Sequence, residues 1–135
     1  MNMETPGPQQ KIGLIADDDN IVLVFLSRLL NNWKFNVDAV NDAYDVIRII
    51  QDKDYDFILL DVRMPGMNGL ELYNRIEEIK PELAKRIIFI TGDAAGRDTD
   101  AFIKRNRVLC IPKPIDVKKL KNSIDTVLST GKSTL

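Results

Sequence analysis

Tyr55-Asp-Phe-Ile-Leu-Leu-Asp61 is the stretch that decides the architecture of this chain. From Tyr55 to Leu60 it is almost wholly apolar, too short for a buried helix, and it stops on a carboxylate. A strand with one wet face would alternate apolar and polar residues. A run apolar on both faces is expected of a central parallel strand covered by helices on either side. Four more short apolar runs flank it: Ile12 to Ala16, the segment around Phe35, Val37 and Val40, Arg86 to Thr91, and Val108 to Ile111. Between them the pattern changes to helical spacing. Ile21, Val22, Phe25, Leu26, Leu29 and Leu30 mark a first helix, capped by Asp19 or Asn20. Ala43, Val46, Ile47 and Ile50 mark a second, capped by Asp42. Leu70, Tyr73 and Ile76 mark a third, stopped before Pro81. Val117, Leu120, Ile124, Val127 and Leu128 stripe the last. Residues 93–106 hold few apolar positions beyond Ala101, Phe102 and Ile103, which predicts a short, marginal fourth helix. Five strands alternating with five helices predict an α/β fold, a doubly wound five-stranded parallel sheet with right-handed crossovers.

Composition narrows the chemistry. The chain has 135 residues, 44% hydrophobic and 29% charged, with a formal net charge of −1. That suits one self-sufficient domain, expected over residues 11–128, with a polar disordered leader at 1–10 and a frayed tail at 129–135. The charge balance gives no reason to expect direct nucleic-acid binding. No apolar run is long enough for membrane insertion, and no secretory leader is legible, so a cytoplasmic location is expected. The chain contains no histidine and a single cysteine. This excludes Ser-His-Asp and Cys-His catalysis, most zinc sites, and any role as a phosphohistidine donor.

Open parallel sheets place their sites beyond the carboxyl ends of the strands. Here strand one ends in Asp17, Asp18 and Asp19, strand three in Asp61, strand four in Thr91, and strand five in Lys113. Any one of these has an ordinary explanation: an acidic triplet caps a helix, and Lys-Pro makes a turn. Their joint occurrence at four strand ends does not. With strand one in the middle of the sheet they converge as a carboxylate cluster, a hydroxyl and an ammonium. Repulsion among the carboxylates either raises a pKa or draws in a cation. Hard oxygen donors in small number suit Mg²⁺ (or Mn²⁺). A carboxylate held beside such an ion and a lysine is placed to attack a phosphoryl group and form an aspartyl phosphate.

Four segments then carry a family resemblance: IADDD at 15–19, LLDVRMPGMNG at 59–69, FITGD at 89–93 and IPKP at 111–114. In this order and spacing they resemble the response-regulator receiver domains of two-component phosphorelays, over about residues 11–128. The resemblance implies a flavodoxin-like (βα)5 fold with strand order 2-1-3-4-5. It implies Asp61 as phosphoacceptor, with Asp17, Asp18, Asp61 and the backbone carbonyl of Arg63 as metal ligands. It further implies Thr91 and Lys113 as the phosphoryl-binding and switch residues, and a cis bond before Pro114. A histidine kinase or histidine phosphotransfer protein would be the donor, and an unidentified output domain or target protein the recipient of the signal. The protein would catalyse only its own phosphorylation and dephosphorylation, although the parent could be a hybrid histidine kinase. Arg63 and Asp93 are expected to overhang the site mouth and modulate hydrolysis. One position departs from the family: most members carry, three residues before the lysine, a Tyr or Phe whose ring swings inward when the threonine moves, and at that switch position this chain has Cys110.

Two other readings fit parts of the sequence. An Asp-nucleophile phosphohydrolase of the haloacid-dehalogenase type needs a second acid two residues after the nucleophile, where this chain has Arg63. A receiver-like scaffold that is not phosphorylated conflicts with the intact Asp61, Lys113 and acidic cluster.

Overall fold

The computed structural model describes residues 10–92 and 96–130. Of the leader expected at 1–10 and the tail expected at 129–135, residues 1–9 and 131–135 lie outside the described residues, as does Asp93. In chain order the elements are β1 (Ile12–Ala16), α1 (Asn20–Asn32), β2 (Asn36–Val40), α2 (Ala43–Asp52), β3 (Phe57–Asp61) and α3 (Gly69–Ile79). They continue as α4 (Pro81–Ala84), β4 (Ile87–Thr91), α5 (Arg97–Asn106), β5 (Leu109–Pro112) and α6 (Val117–Thr130). All strand pairs are parallel, in the order β2-β1-β3-β4-β5. This is the flavodoxin-like order that the resemblance implied.

The apolar run of β3 sorts into two cores. Ile58 and Leu60 face one way, onto α2, α3 and α4; Phe57 and Leu59 face the other, onto α1 and α6. The neighbouring β4 divides alike, Ile87 and Phe89 against Ile88 and Ile90. Every residue of β3 and β4 is buried, which is why neither strand shows alternation in the sequence. The helices start where short polar side chains satisfy free amide groups. Asp19 accepts from the Ile21 amide, Asp42 from that of Tyr44, and Asn68 from that of Glu71.

Three expectations need correction. A sixth helix, the single turn α4, follows α3; Pro81 supplies a preset φ at its start, and Leu83 and Ala84 bury against the core. Only one turn of periodicity was present, too little to read as a helix. In α1 the buried face is Leu23, Leu26 and Leu30, whereas Ile21 and Phe25 are 80% and 45% exposed. Two apolar stripes coexist on that helix, and periodicity alone does not say which one the sheet takes. Finally, α6 runs to Thr130, past the boundary expected at 128, and the hydroxyls of Ser129 and Thr130 donate to carbonyls one turn back.

The marginal helix is present as α5, but none of its ten residues is buried. Gly96 at its N-cap makes no side-chain hydrogen bond, and the helix rests on the half-buried Phe102 and Ile103. Its local opening free energy should therefore be the lowest of the multi-turn helices. Native-state hydrogen exchange is expected to show the α5 amides exchanging faster than those of α1, α3 and α6. Equal protection in α5 and α6 would contradict this.

Candidate functional site

The carboxyl edge of the sheet collects the polar residues that the strand-end argument singled out. Each member of the acidic triplet has a separate job. Asp17 is 2% exposed; its Oδ1 accepts from the Asp19 amide and its Oδ2 from Lys113 Nζ at 3.0 Å. Asp18 is exposed at the surface of the cluster. Asp19 turns away to cap α1. From β3 comes Asp61, 4% exposed, its Oδ1 accepting from the Arg63 amide at 3.1 Å. Lys113 Nζ lies 3.8 Å from Asp61 Oδ2, so one ammonium bridges the ends of β1 and β3 from the far side of the sheet.

Thr91 closes β4 beside Asp61, whose register partner is Ile90. It is buried, and its carbonyl accepts from the Lys113 amide at 2.7 Å. That bond ties the two strands just where the lysine departs. The Lys113–Pro114 peptide is cis. Arg63 is exposed at the first turn of the loop after Asp61. The loop returns closely: a Cβ on Gly69 would lie 2.7 Å from the Asp61 carbonyl oxygen and 2.8 Å from Val62 Cα, so only glycine lets α3 start there. Cys110 is half-buried in β5, the register neighbour of Phe89. Burial pushes its thiol pKa up, with Asp100 adding to the effect, which disfavours a reactive thiolate.

Carboxylate oxygens of Asp17, Asp18 and Asp61 all lie within 4.8 Å of one another. Few hard oxygen donors clustered this closely, with Asp18 open to solvent, fit a divalent ion that keeps part of its water shell. The titration of Asp61 reflects the same crowding. Burial, with Asp17 and Asp18 adding repulsion, raises its pKa from the ordinary 3.8 to about 6, against the opposing pull of the Arg63 amide and Lys113. Burial lowers the Lys113 pKa, but its bond to Asp17 and the charges of Asp61, Asp17 and Asp19 outweigh this, and the net shift is upward. The ammonium is therefore secure at neutral pH, and Asp61 is the group whose charge is contested.

Sequence reasoning missed an apolar shelf beside the site. Ile21, Val22 and Phe25 of α1 line a hollow with Lys113, Pro114 and Ile115. It continues along α1 through Val24 and Leu29. The available signal was an excess of apolar residues in α1 over what one buried face needs.

Comparison with known proteins identifies the family of the chain. The model of the response regulator receiver domain family matches residues 14–125. The response regulator receiver protein CpdR of Brucella abortus is 33% identical over 85% of this chain and 94% of its own length. The DNA-binding transcriptional regulator NtrC of Azospirillum brasilense is 32% identical over 87% of this chain, which spans only 24% of NtrC. A CheY-like receiver domain from Methanospirillum hungatei shares the fold, with TM-score 0.83 at 24% identity over 91% of this chain and 97% of that one. Among the described residues no helix is long and apolar enough to cross a membrane.

The raised pKa of Asp61 has a consequence for stability. Without a bound cation Asp61 keeps its proton in the folded chain between about pH 4 and pH 6, where the unfolded chain has lost it, so the contribution of Asp61 to stability falls as pH rises through that window. Asp61→Asn removes this penalty. In EDTA at pH 7.5 the variant is expected to be more stable by on the order of 1–2 kcal/mol, after allowing for solvent screening, with the advantage fading near pH 4. Urea denaturation at both pH values measures it. A variant no more stable than the parent at pH 7.5 would refute the assignment of charge strain to Asp61.

Proposed function

This chain belongs to the response regulator receiver domain family, and from that premise we propose that it works in a phosphorelay by accepting a phosphoryl group on the Asp61 carboxylate. The single observation that carries the assignment is the buried Asp61, with Lys113 Nζ at 3.8 Å and two further carboxylates within reach of a shared ion. An Asp61 oxygen attacks phosphorus in line with the bond to the donor nitrogen. A P–O bond forms, the P–N bond breaks, and the leaving imidazole keeps the electron pair and takes a proton from solvent. Lys113 neutralises charge on the transferred oxygens, and the Thr91 hydroxyl hydrogen-bonds the phosphoryl group once it has arrived. Asp17, Asp18, Asp61 and the Arg63 carbonyl would hold Mg²⁺ or Mn²⁺. When bound, the ion offsets carboxylate repulsion, keeps Asp61 ionised and screens the phosphoryl oxygens. Release is hydrolytic: water attacks phosphorus and returns the carboxylate.

The donor is a histidine kinase or histidine phosphotransfer protein, and its landing place is the shelf of Ile21, Phe25, Pro114 and Ile115 beside Lys113. An apolar surface flanking the mouth lets a protein donor present its phosphohistidine to Asp61 while excluding water. The output partner is a further domain or target protein. A cytoplasmic setting fits a reaction fed by such donors. The chain promotes its own phosphorylation and dephosphorylation and acts on no other substrate. Arg63 would stand over the mouth and slow the hydrolytic water.

Incubation with acetyl phosphate and Mg²⁺ is expected to add one phosphoryl group, read by intact mass. Asp61→Asn should lose the adduct, since an amide is no nucleophile, and Arg63→Ala should form it but shed it faster. A full-yield adduct on Asp61→Asn overturns the assignment. For the shelf, Ile21→Asp should lower transfer from a phosphohistidine protein by about tenfold or more relative to labelling by acetyl phosphate. An unchanged ratio between the two donors places docking elsewhere.

A further inference from the structure

Cys110 stands opposite Phe89 in the β4–β5 register, so both side chains face the same core, the one beneath α2, α3 and α5. The strand itself contributes only a thiol there. A ring enters the same core from a different element. Phe102, in the middle of α5, meets Tyr73 of α3 edge to face, with centroids 5.2 Å apart and planes at 88°. Phe89 completes a triangle, 6.0 Å from Tyr73 and 6.3 Å from Phe102. These separations are within the range at which aromatic quadrupoles attract.

The triangle is wired to the site at two points. Phe89 and Thr91 are two residues apart on one strand and share a face. The ring of Phe89 also abuts the start of α3: a Cβ on Gly69 would lie 3.3 Å from Phe89 Cε1 as well as against the Asp61 carbonyl. On the other side, Phe102 is the only ring on α5, a helix with no buried residue. Phe102 and Ile103 are the apolar side chains by which α5 packs on the core, and Phe102 is the one that meets the aromatic pair.

Resting on the assignment of Asp61 as phosphoacceptor, we propose that Phe102 is the aromatic switch residue of this receiver. The ring that reports the state of Thr91 is carried by α5 rather than by β5, and its seat on Tyr73 and Phe89 sets the position of α5. The small side chain of Cys110 is part of the same arrangement, because a ring at that position would compete for the core face that Phe102 uses. When Thr91 is drawn toward a phosphorylated Asp61, the triangle is disturbed from the Phe89 side, and α5 moves as a weakly held body. A ligand shifts such an equilibrium only through contacts that differ between the two states, and the soft attachment of α5 makes the required difference small.

The test uses 4-fluorophenylalanine incorporated at the five phenylalanines of the intact chain, with the Phe102 resonance identified by its loss in Phe102→Leu. On adding Mg²⁺ and beryllofluoride, the Phe102 resonance is expected to shift more than those of Phe35 and Phe57, which lie in the opposite core. A Phe102 resonance that stays put while the Thr91 amide responds overturns the proposal and leaves the Asp61 assignment standing. No response at Thr91 or at any phenylalanine brings down both. As a second arm, hydrogen exchange is measured on Phe102→Leu and Tyr73→Leu with and without beryllofluoride. The expected result is loss of the ligand-dependent difference in α5. A purely structural role would speed exchange in both states and keep the difference, and that outcome also overturns the proposal.

Discussion

Two buried carboxylates, Asp17 and Asp61, and a third at the surface, Asp18, are held close enough to share one cation, and the fold around them is arranged to tolerate that crowding. Isolated charges are not kept in a protein interior without partners. Asp17 has the Asp19 amide and Lys113; Asp61 has the Arg63 amide and a longer contact with the same ammonium. Lys113 reaches both from the end of β5, where its amide donates to the Thr91 carbonyl. Three carboxylates face one ammonium, so the site keeps an excess of negative charge. Asp61 remains the member whose charge is disfavoured, which suits a group that gains by taking up a metal and then a phosphoryl group.

Much of this is legible in the sequence, for physical reasons that can be named. Strands buried on both faces need continuous apolar runs, so Phe57–Leu60 and Ile87–Ile90 stand out against polar flanks. Parallel strands must all end on one edge, so Asp17, Asp61, Thr91 and Lys113 could be brought together by topology alone. What stayed hidden depended on choices between equivalent patterns. In α1, Ile21 and Phe25 match the helical period as well as Leu23 and Leu26 do, and only packing shows which stripe the sheet covers. The turn of α4 is too short to carry a period. Tyr73, Phe89 and Phe102 are far apart in sequence, and nothing in their spacing announces that they meet. Cys110 could be read as a departure from the family, but what fills the space beside it could not.

The distribution of rigidity follows the same logic. The strands that carry Asp61 and Thr91 are wholly buried, which holds the reacting groups in place. α5, which lies next along the chain from Thr91, is the least anchored multi-turn helix among the described residues. A rigid site followed by a soft helix is the arrangement that the proposed switch requires.

The central claim is that one particular oxygen nucleophile, on Asp61, carries the phosphoryl group. An acyl phosphate is reduced by borohydride to the alcohol, so an aspartyl phosphate is recorded as homoserine at its own position, whereas an unmodified carboxylate is untouched. The protein would be phosphorylated with acetyl phosphate and Mg²⁺, reduced, digested and sequenced by tandem mass spectrometry. The account predicts homoserine at position 61 and nowhere else. Homoserine at 17 or 18, or phosphoryl incorporation with no reduction product at 61, would contradict it.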